Sequence, residues 1–358
     1  MSLTMRPVMA RSSRHAWLKI FVIGLALWLA CIAVTLVTKN INLVPTLILL
    51  GSFLVPVSFV AWAFEHWRDE HITTELIVSA FVLGGLLGVL GASLLESYLL
   101  HPSLIMFFGV GLIEEGAKLA ALMFVTRHLP HRHARDGIVL GAAVGLGFAA
   151  FETTGYAFTA LLTVHGLSIG ALIQTELLRG ILSPFGHGLW TALLGGVLFR
   201  DAREGVFRYT KALVGMYLWV SFLHGLWDSS RELAVVLTYL LTGAPWQIHL
   251  LTIGFVPAPT PAQVELFTWL SIAGIAVVAL LGVATLVIFW RHQDGRPFLR
   301  YGSERRRITP SSGSSMRARG SARPGSRPGS VENSTTAGPT SSRRPSGVLP
   351  ELKFSATR

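Results

Sequence analysis

Residues 104–126, LIMFFGVGLIEEGAKLAALMFVT, form an apolar run long enough to cross a bilayer, yet Glu114, Glu115 and Lys118 lie near its middle. A charged side chain at the bilayer centre costs roughly 2.5–3.5 kcal/mol on insertion scales, so three in one span need partners or a function. The rest of the sequence should say which.

The rest of the chain is just as apolar. Of its 358 residues 51% are hydrophobic and 14% charged, and the mean hydropathy is +0.56. That is the composition of a polytopic membrane protein and excludes an ordinary soluble domain. Applying the length of about 20 apolar residues that a span requires predicts eight spans. Three precede the quoted stretch: Trp17 to Val37, Leu43 to Phe64 and Leu76 to Leu95. After it come about Gly137 to Thr163 with Glu152, about Gly180 to Phe199 with His187, about Ala212 to Ser230 with His224 and Asp228, and the charge-free Leu266 to Trp290. The expected fold is therefore all-α, a polytopic transmembrane helix bundle. Arg231 to Glu265, cut by Pro245, Pro257, Pro259 and Pro261, reads as an external segment, partly re-entrant or interfacial. The first span has a basic start but no well-placed small-x-small cleavage site, so it is expected to be retained as a span.

The net charge of +11 is concentrated at one end: from Arg291 onward there are fourteen Lys and Arg against four acids. A basic appendage of this kind, rich in Ser, Gly, Pro and Arg, is expected to be disordered over residues 303–358 and to meet anionic lipid head groups; no nucleic-acid partner is expected. The domain layout is then a cytoplasmic N-terminus (1–16), a transmembrane domain (17–302, motif core 104–230) and the cytoplasmic tail (303–358). Lys and Arg collect in cytoplasmic loops. With both termini inside, 26 of the 30 basic residues are cytoplasmic and only Lys39, Arg179 and Arg231 face out, Lys118 being in the membrane. The single cysteine, Cys31, excludes an intramolecular disulfide and a multi-cysteine metal cluster, and reads as lipid-facing or packing.

At 1.5 Å per residue, Glu114, Glu115, Glu152, His187, His224 and Asp228 fall in one slab, from the bilayer centre toward the outer leaflet. Glu114 and Lys118 are spaced i, i+4, as are His224 and Asp228, so each pair shares a helix face. Glu115 lies about 100° round from Glu114, so one glutamate can face the site while the other pairs with Lys118 or a neighbouring helix. An internal echo, F-x-H-G-L-W, links Phe185 to Trp190 with Phe222 to Trp227 and sets a glycine after each histidine. Such a set can activate water, with a poorly solvated carboxylate as general base and a histidine as orienting group or oxyanion donor. Two histidines with one or two glutamates are also a Zn²⁺ set; His187, His224 and Glu152 are the candidate ligands. Nucleophilic chemistry has little support, with one cysteine and no H-E-x-x-H or G-x-G-D string. The bland alternatives are an intrahelical ion pair for Glu114, Glu115 and Lys118, packing histidines, and Asp228 as a helix cap or partner of Arg231. His128, His131 and His133 read as a solvated cytoplasmic loop, Glu96 and Glu176 as boundary residues, and Gly84, Gly85, Gly88, Gly91, Gly141, Gly145 and Gly147 as packing positions.

Glu114-Glu115-Gly116-Ala117-Lys118 resembles the E-E-x-x-K motif, and Phe148-Ala149-Ala150-Phe151-Glu152 the F-x-x-x-E motif, of the PrsW family of intramembrane proteases. The two histidine motifs resemble that family's third and fourth signatures, and the family is grouped with CAAX prenyl protease-like membrane proteases. Here the second motif ends in Glu152 where the CAAX branch has histidine, which favours the PrsW branch. The resemblance implies a membrane peptidase of about eight helices that cuts a membrane-anchored protein, such as an anti-sigma factor, in a bacterial plasma membrane. Carried over by position, Glu114 and Glu115 supply the catalytic glutamate, Glu152, His187 and His224 line the site with Phe148, and Asp228 supports His224. It leaves open whether Zn²⁺ takes part. A proton-coupled transporter and a non-catalytic membrane scaffold or sensor are the rival readings.

Overall fold

The computed structural model describes residues 15–67, 72–103 and 105–294. The expected disordered tail, residues 303–358, and nearly all of the N-terminal segment lie outside the described residues. The described chain is helical almost throughout, as α1 (Ala16–Thr38), α2 (Val44–Trp67), α3 (Thr74–Ser79), α4 (Gly85–Leu99), α5 (Met106–Thr126) and α6 (Ala134–Leu161), then α7 (Ile169–Leu182), α8 (His187–Asp201), α9 (Lys211–Asp228), α10 (Ser230–Thr242), α11 (Pro245–Thr252) and α12 (Pro261–Asp294). A wider π turn, Ala80–Gly84, joins α3 to α4, and Leu162–Thr163 pairs antiparallel with Gly166–Leu167 before α7.

Among the described residues, six stretches are long and apolar enough to cross a membrane: Ala16–Thr38, Ile41–His66, Thr74–Leu99, Ala134–Leu161, Ile169–Asp201 and Pro261–His292. The chain is a multi-pass membrane protein. The two other expected spans are α5, which carries three charges, and α9, which carries Lys211, His224 and Asp228; they pack on each other.

Helix α6 is the axis of the bundle. Every residue from Asp136 to Ala150 is buried, against α2, α4, α5, α7 and α8. Its tightest contact is with α8, because Gly137, Gly141 and Gly145 repeat on one face every four residues. A Cβ at these positions would collide with the backbone carbonyls of Gly195, Thr191 and His187 respectively. Small residues in such a row let two helix backbones touch, the main route to packing where lipid removes the hydrophobic drive between helices. Gly145 thereby sets the backbone of His187. Gly145→Ala is expected to cost about 1–3 kcal/mol through forced separation of the pair. Gly155→Ala, with nothing within 4 Å of the added carbon, is the control and is expected to be neutral or up to about 1 kcal/mol stabilising. Thermal unfolding of both in detergent compares them; equal midpoints would overturn the glycine-contact argument.

Two expectations change. The span expected as continuous from about Gly180 to Phe199 is broken at residues 183–186. Pro184 has no N–H to offer the carbonyl of Gly180, and its ring crowds that carbonyl. The hydroxyl of Ser183 donates to it instead at 3.0 Å, and the chain restarts at His187. His187 is thus the first residue of α8 and not two turns inside a longer helix. Glu176, expected at a boundary, is buried on α7 (2% exposed), where its carboxylate accepts from the indole N–H of Trp28 at 2.9 Å. Gly51 on α2 leaves the room, since a Cβ there would overlap that carboxyl group. Around it lie Trp28, Val44, Leu47, Ile48 and Leu172, a second apolar cluster beside the main core.

Arg231 to Glu265 contains α10, α11 and the start of α12, and the prolines explain the breaks. Pro245 and Pro261 each open a helix, where a missing N–H costs nothing. Pro257 lies in the connection, its carbonyl held by the Tyr239 hydroxyl at 2.6 Å.

Candidate active site

The charges of α5 meet their partners at the middle of the bundle. Lys118, wholly buried, donates through Nζ to Glu114 Oε2 at 3.0 Å, Glu115 Oε1 at 2.8 Å and His187 Nδ1 at 2.8 Å. Phe148 on α6 lies against the same ammonium, 3.9 Å from Nζ to ring centroid, a cation–π contact. The choice between Glu114 and Glu115 as partner of Lys118 does not arise, because one ammonium spans the i, i+3 and i, i+4 positions together.

The two glutamates differ in what else they touch. Glu115 has a fully buried side chain, and its Oε1 is also 3.0 Å from His224 Nδ1 on α9. The Glu114 side chain is 8% exposed, and its Oε2 is 3.6 Å from His224 Nε2 and 3.9 Å from His187 Nδ1. His224 Nε2 is in turn 3.3 Å from Asp228 Oδ2. Asp228 thus faces His224, as their i, i+4 spacing predicts, in addition to closing α9.

The hydrogen bonds assign the tautomer of His187. Nδ1 receives a bond from Lys118, which has only donors, so the proton sits on Nε2. Nε2 is 3.2 Å from Glu152 Oε2 on α6. Glu152 is also ion-paired with Arg179 of α7, whose Nε donates to Thr153 Oγ1 at 3.1 Å. Trp190, fully buried, closes the floor, its ring 4.7 Å from His224 and 5.6 Å from His187 between centroids.

Every expected site residue is therefore in this cluster: Glu114, Glu115, Lys118, Phe148, Glu152, His187, His224 and Asp228. Sequence reasoning missed Arg179, placed merely on the outside, and the role of Trp190. Both left a signal: Arg179 is the one cation in the apolar run Ile169–Leu182, and Trp190 ends the histidine echo. A G-x-S-x-G string, Gly166 to Gly170, runs into the start of α7, where the Ser168 hydroxyl accepts from Ala171 N–H as a helix cap, well apart in sequence from the residues of this cluster.

Glu114, His187 and His224 each offer a ligand atom, all within 4.8 Å of one another, the only such group found among the described residues. One carboxylate and two imidazoles fit a Zn²⁺ centre in donor chemistry. Lys118 at present holds Glu114 Oε2 and His187 Nδ1, so an ion would take these donors over from the ammonium. Glu152, the carboxylate expected in this role, is instead engaged by Arg179 and His187 Nε2.

A membrane helix bundle that closes two glutamates and two histidines around a buried lysine has the makings of a membrane-embedded hydrolase acting through water. The sequence comparisons say which. Residues 73–256 match the family described as PrsW family intramembrane metalloprotease, more than half of the chain, and the chain belongs to that family of proteases. Among curated relatives, Protease PrsW of Halalkalibacterium halodurans is 29% identical over 174 residues, 46% of this chain and 75% of that protein. Protease PrsW of Shouchella clausii is 27% identical over 175 residues, 47% of this chain and 76% of its own length. Protease PrsW of Geobacillus kaustophilus is 30% identical over 134 residues, 37% of this chain and 54% of its own length. No solved structure matches the chain significantly.

Proposed function

We propose that the protein hydrolyses a peptide bond of a membrane-anchored regulatory protein, of which an anti-sigma factor is the model substrate, near the outer face of a bacterial plasma membrane with both termini cytoplasmic. The observation that carries this is the convergence of Glu114, His187 and His224, from α5, α8 and α9, on one point inside the bundle. Glu114 is the general base. It is the glutamate with residual exposure, whereas both assigned roles of Glu115, holding Lys118 and His224, are internal. Glu114 takes a proton from water as the oxygen attacks the substrate carbonyl, and later returns it to the departing amine. His224, at the same oxygen of Glu114, donates to the developing oxyanion, and Asp228 orients it. Lys118 and Phe148 hold His187 and the two glutamates in register. If Zn²⁺ binds, Glu114, His187 and His224 would hold it; Glu114 and His224 would then act as ligands in place of the base and oxyanion-donor roles, and the ion would supply carbonyl polarisation and a bound water of pKa about 7. The same reading groups the chain, through the PrsW family, with the CAAX prenyl protease-like membrane proteases.

Purified protein reconstituted with single-span test proteins, assayed for cleavage and for zinc content, tests the reading. Cleavage lost in Glu114→Gln and His224→Asn is the expected result. Ion or solute flux without any proteolysis would overturn it in favour of a transporter.

A further inference from the structure

A cleft reaches His187 from the side of α7, lined by Thr153, Arg179, Ser183, Gly186, His187 and Trp227. Arg179 stands in its wall. The guanidinium makes three contacts, all with one stretch of α6: the ion pair with Glu152, the bond from Nε to Thr153, and stacking over the Tyr156 ring at 4.1 Å. The Glu152 oxygen that it grips, Oε2, is the one that lies 3.2 Å from His187 Nε2. Arg179, Glu152, His187 and Lys118 thus form a continuous chain that ends on Glu114, and Arg179, with 27% of its side chain exposed, is its outermost member.

We infer that Arg179 is a positioning residue for the reaction: by clamping the Glu152 carboxylate it holds the proton of His187 on Nε2 and keeps Nδ1 as the acceptor turned toward Lys118 and Glu114. The physical reason is that a carboxylate alone can rotate about its last bond, while one whose Oε2 is held by a guanidinium, itself fixed through Nε and an aromatic face, is restricted. His187 opens α8 just after the turn at residues 183–186, and its anchor comes from α7 on the other side of that turn. Groups that orient a site histidine in this way are worth about 10- to 100-fold in activity.

This inference rests on the protease reading, so its test has two arms, only one of which needs cleavage. In the first, kcat and KM of Arg179→Met, Arg179→Lys, Glu152→Gln and the double variant Arg179→Met/Glu152→Gln are measured on a substrate that the wild type cleaves. Arg179→Met is expected to lower kcat about 10- to 100-fold with KM little changed. Arg179→Lys should recover part of the loss. In the Glu152→Gln background, removing Arg179 should cost less than about twofold, because the two act as one unit. In the second arm, nitrogen NMR of histidine-labelled protein in lipid nanodiscs, with His187 assigned from His187→Asn, reads the tautomer directly. The wild type should show the Nε2–H form and Arg179→Met a mixture with the Nδ1–H form. An unchanged His187 signal in Arg179→Met, or losses that multiply in the double variant, would overturn the positioning role. A wild type that cleaves nothing sinks the protease reading and leaves the NMR arm to decide this one.

Discussion

Glu114→Gln is expected to lower the rate of substrate cleavage by about 10³-fold or more, toward the upper end of what a general base contributes, with the protein still inserted and folded. Glutamine keeps the volume and one acceptor oxygen for Lys118, and Glu115 stays to balance the ammonium, so the bundle loses a base without losing its charge pairing. Glu115→Gln is the informative companion. Its carboxylate is fully buried between Lys118 and His224, so the substitution should weaken the positioning of both, with a rate loss of about 10- to 100-fold as for other orienting groups. Cleavage rates of the two purified variants, each checked for correct size and thermal midpoint in detergent, separate the roles. A Glu114→Gln enzyme that keeps a tenth of wild-type activity, or one more active than Glu115→Gln, would exclude Glu114 as the base.

Lys118→Met should have the largest effect on stability. The lysine is wholly buried and its ammonium is shared by Glu114, Glu115 and His187 at 2.8 to 3.0 Å. Methionine fills the space of the aliphatic stem yet leaves two carboxylates without their cation, and removing one partner of a buried pair costs about 3–5 kcal/mol. The expected outcome is a sharp fall in the amount of protein accumulated in membranes and in the thermal midpoint of what survives. Adding Glu115→Gln removes one of the stranded charges and should restore a good part of both, without restoring cleavage. A Lys118→Met protein that accumulates and melts like the wild type would mean that the ammonium is not what holds these acids inside the bundle.

Much of this architecture was legible in the chain. Membrane spans announce themselves because a bilayer demands long unbroken apolar runs, and in such runs an ionisable group stands out. That is why Glu114, Glu115, Lys118, Glu152, His187, His224 and Asp228 could be singled out and set at one depth. The glycines of α6 were legible as packing positions for a similar reason, although the chain does not say that Gly145 meets the backbone of His187.

Other features depend on who sits opposite whom. Glu176 and Arg179 lie three residues apart on one short helix and have opposite surroundings: Glu176 is sealed against Trp28, while Arg179 reaches back to Glu152. Helical spacing fixes the angle between them but not the neighbours at either angle. The stop before His187 follows locally from Pro184, yet its consequence, a histidine oriented across the break by another helix, is tertiary. So is the gathering of Glu114, and not Glu152, with the two histidines. The sequence by itself determined the class of fold and which ionisable groups fall within its apolar runs, because apolarity, charge and helical period are properties of a strand of residues. Only the tertiary structure decided that Lys118 bridges both glutamates, that Glu115 faces inward to His224 and that Arg179 joins the site through Glu152. These are distances between helices far apart in the chain, and they follow from packing in three dimensions.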